Sequence, residues 1–147
     1  MRRKSLAGAV CPIARSLDVI GDWWSLLIVR DALRGMRRFS EFQKSLGVSK
    51  NILTQRLRTL VAQGILELAP ATDGSAYREY VLTAKGRDLF HVLVALGQWG
   101  QEHLDPPAGS RLTMVDRARG EPLRRLELRA RDGRVLGPGD TIMTKIA

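Results

Sequence analysis

Apolar and polar positions recur along this chain with two different periods, and the change of period divides it. Between Pro12 and Ile20 the apolar residues Ile13, Leu17 and Ile20 fall at helical spacing, which predicts a helix opened by Pro12 and closed by Gly21. Asp22 stands as an N-cap before Trp23 to Leu33, where Trp24, Leu27 and Ile28 form an apolar stripe and predict a second helix, stopped at Gly35. Phe39, Phe42 and Leu46 mark a third, short helix, for which Ser40 is the expected cap. From Leu53, steps of about 100° per residue put Leu57, Leu60 and Val61 in one stripe and Asn51, Gln55 and Arg58 opposite. Ser49 to Gln63 is thus predicted as an amphipathic helix capped by Ser49 and joined to the third helix by Gly47-Val48. A helix, a tight turn containing glycine and a second helix with a polar outer face form the helix-turn-helix pattern.

The period then shortens. Ile65 to Ala69 alternates, Asp73-Gly74 supplies turn chemistry, and Tyr77 to Leu82 returns, a predicted hairpin that would form a wing. Thr83 caps a predicted long helix from Ala84 to about His103, apolar on nearly every side through Leu89, Phe90, Val92, Leu93, Val94, Leu96 and Trp99. In so small a domain such a helix is expected to pack against its own core and a second subunit, with a fully buried core helix as the alternative. Ile13, Leu17, Leu89, Val92, Leu93, Leu96 and Trp99 are the candidate homodimer contacts.

Beyond Pro106-Pro107, three alternating runs predict strands: Leu112 to Val115, Leu123 to Arg129 and Thr141 to Ile146. The expected organisation is a flexible basic arm at 1–10, a DNA-binding and dimerisation domain at 11–104, a linker at 105–110 and a β-rich C-terminal extension at 111–147. The fold class is α+β and mainly α, a winged helix-turn-helix with a long terminal dimerisation helix and a small β-rich appendage.

Composition narrows the partner. A net charge of +9 over 147 residues makes an anionic partner the expectation, with double-stranded DNA the first candidate. Within the helix-turn-helix, Ser49, Lys50, Asn51, Thr54, Gln55 and Arg58 offer amide, hydroxyl and cationic groups to base edges and phosphates. Arg38 ahead of them and Arg78 in the wing add candidate phosphate contacts. The single cysteine excludes an internal disulfide, and with two distant histidines no metal site or cofactor is expected. The basic N-terminus lacks a long apolar core, so neither a signal peptide nor a membrane span is expected and the protein is placed in the cytoplasm.

Cys11 admits two readings. It precedes Pro12 and so stands at or beside a helix N-terminus, whose positive end favours a thiolate over a thiol, with Arg2, Arg3 and Lys4 nearby in sequence. It can equally be a small packing residue.

The motifs carry a specific resemblance. Cys11-Pro12-Ile13, Leu17 to Ile28, Arg38 to Phe42, Asn51 to Leu57, Gln63 to Leu66, Tyr80 to Thr83 with Gly86, and Trp99-Gly100 follow one another in a pattern similar to the HxlR-type winged helix-turn-helix transcription regulators, within the MarR-like superfamily. The resemblance implies a homodimeric regulator, expected to be a repressor, whose recognition helices enter successive major grooves of a near-palindromic operator. It also implies an oxidant or small-molecule effector acting at Cys11, since some such regulators hold a cysteine at this position. The stretch Ala69 to Tyr77 departs from the family's basic wing, being small and acidic or neutral, and leaves Arg78 as the nearest cation. The tail resembles that of long family members in its Gly137-Pro138-Gly139 element but has no cysteine, so no metal knuckle is implied.

Three other classes compete. A winged helix can serve as a protein–protein interaction module, but that use calls for apolar side chains on the outer face of Ser49 to Gln63. Cys11 with His91 or His103 could form a thiol dyad, yet no phosphate loop or paired carboxylates accompany them. An RNA binder would need a stacking platform that this aromatic-poor chain lacks.

Overall fold

The computed structural model describes residues 3–108 and 111–146. The first two residues of the expected arm, two residues of the expected linker and the last residue lie outside that description. The described chain forms two compact units, Met1–Leu93 and Val94–Ala147.

In the first unit α1 (Pro12–Ile20) and α2 (Trp23–Leu33) have the bounds that their spacing predicts. The Asp22 carboxylate caps α2 by accepting the N–H groups of Trp24 and Ser25 at 3.0 Å each. It also stands 3.5 Å from Arg56 of the fourth helix, which ties two helices through one side chain. The arm does not trail free over its described part. Leu6 N–H donates to Asp18 Oδ1 at 2.7 Å, and Arg15 donates to the carbonyls of Ala9 and Val10 at 2.8 Å.

α3 spans Phe39–Leu46 and α4 spans Lys50–Ala62. Ser40 is not the cap of α3, because the helix has already begun at Phe39 with Arg38 as the N-cap residue. The cap is supplied by Glu41, whose Oε1 accepts Arg37 N–H at 3.2 Å and Arg38 N–H at 3.0 Å. The chain arrives extended because the Arg37 carbonyl accepts Tyr80 N–H at 2.7 Å, and that fixes where the first helical turn can start. Gly47 then takes φ 62°, a left-handed conformation that closes α3 at little steric cost only for glycine. Ser49 caps α4 by accepting Ile52 N–H at 3.3 Å.

The core gathers from α2, α3, α4 and the strand that follows them: Ile28, Val29, Phe42, Leu53, Leu57, Leu60 and Leu66 are buried together, each worth roughly 1.5–3 kcal/mol of apolar burial. Asp31 is buried among them, and its charge is met by Arg30 at 3.0 Å and by the Ser45 hydroxyl at 2.7 Å. This carboxylate joins α2 to α3, because a buried charge must be paired where it stands.

β1 (Leu66–Pro70) and β2 (Arg78–Leu82) pair antiparallel, in register from Leu66 opposite Leu82 to Pro70 opposite Arg78. This hairpin is the wing. After it Thr83 caps α5 (Ala84–Arg87) by accepting Gly86 N–H at 3.1 Å, while its hydroxyl donates to the Gly64 carbonyl. The single long helix expected from Ala84 is divided, with α6 beginning only at Phe90. Leu89 N–H bonds three residues back to Gly86 at 3.1 Å, tightening the chain between the two helices. The reason is a conflict of anchors: Thr83 and Gly86 hold α5 to the exit of α4, whereas Leu89 and Leu93 pack against the core. The fold is therefore α+β and mainly α, a winged helix-turn-helix.

In the second unit the C-terminal half of α6 (Phe90–His103) is tied to the tail by amide side chains. Gln98 donates to the Arg124 carbonyl at 3.0 Å and accepts Leu126 N–H at 2.7 Å, and Gln101 donates to the Leu112 carbonyl at 2.7 Å. Strand content is smaller than the alternation predicts. β3 (Leu128–Arg129) and β4 (Val135–Leu136) form one short hairpin across Asp132-Gly133, and Val115 bridges Pro122. Thr141 to Ile146 forms no strand, and the rest of Leu123 to Arg129 forms none before Leu128. Alternation specifies a strand when one face has a layer to bury it, and here the alternate residues stay in solvent, as Leu112 at 93 % and Ile146 at 90 % exposure show. No helix among the described residues is long and apolar enough to cross a membrane.

Candidate nucleic-acid interface

α4 presents two unlike faces. Leu53, Leu57 and Leu60 point into the core, whereas Ser49, Lys50, Asn51, Gln55 and Arg58 are exposed. Thr54 is half-buried at the margin, where its hydroxyl donates to the Lys50 carbonyl at 2.8 Å, so it offers its methyl and its lone pairs rather than its proton. Arg56 leaves this face altogether, because its guanidinium is drawn to Asp22. Six of the eight sequence-predicted residues, Ser49 to Arg58, thus lie on one helix and its cap, and a helix of this width fits a major groove.

The other two stand apart. Arg78 is exposed at the end of the wing, opposite Pro70, and has no ion-pair partner among the described residues. Arg38 is engaged: its guanidinium holds Asp73 at the wing tip and lies 6.0 Å from the centre of the Tyr77 ring. Beside it Arg37 donates to Glu79 Oε2 at 2.9 Å, while Glu79 Oε1 accepts the N–H and hydroxyl of Thr72.

These contacts fix the charges. The Ser75 N–H, then the Ser75 hydroxyl and Arg38, hold the Asp73 carboxyl down at about 2, and the Asp73 hydrogen bond pushes the Arg38 guanidinium up. The Thr72 N–H, against the opposing effect of burial, pulls Glu79 below the usual carboxylate range. The Asp73 and Glu79 carboxyls are thus both held toward their charged forms, and the outer half of the wing carries two matched pairs. Arg37, Thr72 and Glu79 were missed from the sequence because their partners lie 42 and 7 residues away; the one visible signal was an acidic residue, Glu79, inside the return strand.

The candidate dimer residues divide into two kinds. Ile13 and Leu17 are exposed one turn apart on α1, with Ile13 at 61 %. On α6, Val92, Leu96 and Trp99 are exposed at helical spacing, with Trp99 at 57 %. Leu89 and Leu93 instead pack against the core of their own unit. Cys11 is the N-cap residue of α1, half-exposed, and its carbonyl accepts Arg15 N–H at 3.2 Å.

Comparison with known proteins agrees with this geometry. Residues 19–108 match a family model described as HxlR-like helix-turn-helix. An uncharacterised HTH-type transcriptional regulator of Mycobacterium tuberculosis is 39% identical over 109 residues, covering 74% of this chain and 69% of that one. The crystal structure of PA1607, a proposed transcription factor, superposes with a TM-score of 0.89 at 52% identity over 95% of this chain and 98% of that one. The redox regulator HypR in its oxidised form superposes with a TM-score of 0.59 at 32% identity over 65% of this chain and 100% of that one.

Proposed function

We propose that this chain, which belongs to the HxlR-like helix-turn-helix family of DNA-binding transcriptional regulators and is not an enzyme, acts as a dimeric repressor that reads a near-palindromic operator. The observation that carries this reading is the outer face of α4, where exposed Lys50, Asn51, Gln55 and Arg58 form a polar surface. Ile52, at 39 % exposure, is the large apolar side chain exposed on that helix among the described residues, and such a group suits a thymine methyl. A protein–protein module would need more than one. Gel-shift or anisotropy titration on duplexes from the DNA flanking its own gene, against random duplex, tests the reading. Saturable binding preferred on one flanking segment supports it, and equal affinity for all duplexes contradicts it.

The dimer is proposed to form through the exposed apolar residues of α1 and α6. A stable interface needs about 800 Å² from each partner, and apolar groups of this size seldom stay in water in such number on a monomer. Because Val92 and Leu96 are exposed, glutamate at either should separate the subunits while leaving the thermal melt of the first unit nearly unchanged. Glutamate at Leu93, which packs against the core, should unfold the chain instead. A wild-type monomer at micromolar concentration in sedimentation would refute the dimer.

Modification of Cys11 is proposed to lower operator affinity. The thiol stands at the start of α1, two residues before exposed Ile13 and six before exposed Leu17, so an added group there alters the helix that would carry the contact. With no second cysteine in the chain, the products open to it are a sulfenic acid, an adduct, a mixed disulfide or a bridge between subunits. Diamide titration is expected to weaken operator binding by the wild type and to leave Cys11→Ser unaffected. Undiminished affinity with Cys11 shown by mass to be modified would leave the residue as packing.

A further inference from the structure

Arg37 and Arg38 lead the chain into the helix-turn-helix, and both are matched by carboxylates of the wing. The two pairs are not equivalent. Glu79 is buried and fully committed, with one oxygen on Thr72 and the other on Arg37. The outer pair is open to solvent: the Asp73 side chain is 53% exposed and that of Arg38 33%.

Asp73 does not depend on Arg38 for its position. Ser75 N–H donates to Asp73 Oδ1 at 2.9 Å, and Gly74, at φ 75°, closes the turn with its N–H on the Ala71 carbonyl at 3.2 Å. The turn therefore presents Oδ2 outward as a fixed anionic oxygen, and that oxygen is the one Arg38 holds. Arg38 is also the N-cap residue of α3, the first helix of the pair, which in a helix-turn-helix crosses the DNA backbone. A guanidinium at that point is a natural phosphate ligand.

We propose that Asp73 is a built-in phosphate mimic: it occupies Arg38 in the free protein and is displaced by a DNA phosphate, so that it sets how tightly the backbone of any duplex is held. This rests on the DNA-binding reading above. The Tyr77 ring, 6.0 Å from the guanidinium, contacts Arg38 by its face and leaves the edge of the guanidinium free to exchange one oxyanion for another. The small and acidic wing then has a use, since it lowers sequence-independent attraction in a chain whose net charge is +9.

The test is Asp73→Asn, which keeps the Oδ1 acceptor for Ser75 N–H and so keeps the turn, but removes the charge that competes for Arg38. Affinity for operator and random duplex should rise alike, by roughly three- to tenfold near 0.1 M salt, with the slope of log K against log salt little changed, because the same phosphate is neutralised in both proteins once Asp73 is displaced. In an Arg38→Ala background the same substitution should lose most of that gain. Tighter binding that persists undiminished without Arg38 would mean a general field effect and overturn the mimic. Binding by Asp73→Asn no tighter than wild type would overturn it too, and weaker binding would assign the pair to holding the wing in place. A wild-type protein that binds no duplex at any salt would instead remove the DNA-binding reading itself.

Discussion

Gln55→Ala is expected to weaken operator binding by about 1–3 kcal/mol, the worth of a bidentate amide contact to a base edge, with random duplex nearly unaffected. The expectation follows from where α4 places the side chain. Leu53, Leu57 and Leu60 lock the helix to the core, Ser49 fixes its first turn, and Gln55 is exposed on the side away from that packing. Arg58→Ala should fall in the same range on operator and also lose some affinity for random duplex, because a guanidinium can serve phosphate as well as guanine. Arg38→Ala should weaken both duplexes alike. Equal losses on operator and random duplex for Gln55→Ala would take that residue off the reading face.

Gly86→Ala is expected to destabilise the first unit by about 3 kcal/mol, at the upper end for overpacking, because backbone rather than a flexible side chain blocks the new methyl. An added Cβ would overlap the Ile65 carbonyl oxygen and come within 2.9 Å of Leu82 Cδ2. Neither neighbour can retreat freely. Ile65 is buried, its carbonyl accepts Thr83 N–H at 3.1 Å, and Leu82 closes the wing in register with Leu66. Denaturant unfolding of the variant measures this directly, and a loss below about 1 kcal/mol, the scale of an ordinary substitution, would show that the α4–wing–α5 joint is looser than its geometry indicates.

That joint also shows what the sequence could reveal. The Thr83 and Gly86 motif was visible as a cap and as part of a family pattern, but its purpose, bringing α5 against the exit of α4, depends on contacts with Gly64 and Ile65 some 20 residues earlier. Elements whose cause is local were legible: Pro12 and Asp22 set the starts of α1 and α2, Gly47 and Ser49 the turn into α4, and Asp73-Gly74 the wing. Elements decided at a distance were not. Ser40 looked like a cap until β2 paired with Arg37 and moved the start of α3 to Phe39. The helix after the wing looked continuous because the apolar run that starts at Leu89 carries no mark of the break just before it. The tail looked like three strands because alternation is visible in sequence while the absence of a covering layer is not. Of the candidate DNA contacts, those on α4 could be read from helical periodicity, whereas the engagement of Arg38 by Asp73, 35 residues on, could not.

The central claim is that two copies of α4 read one DNA site. Footprinting the purified protein on the DNA flanking its own gene, across a range of salt, tests it most directly. The expected result is a protected stretch with two half-sites about one helical turn apart, lost with Gln55→Ala at concentrations where random-duplex binding persists. Uniform protection along the fragment, or protection that Gln55→Ala leaves unchanged, would contradict it.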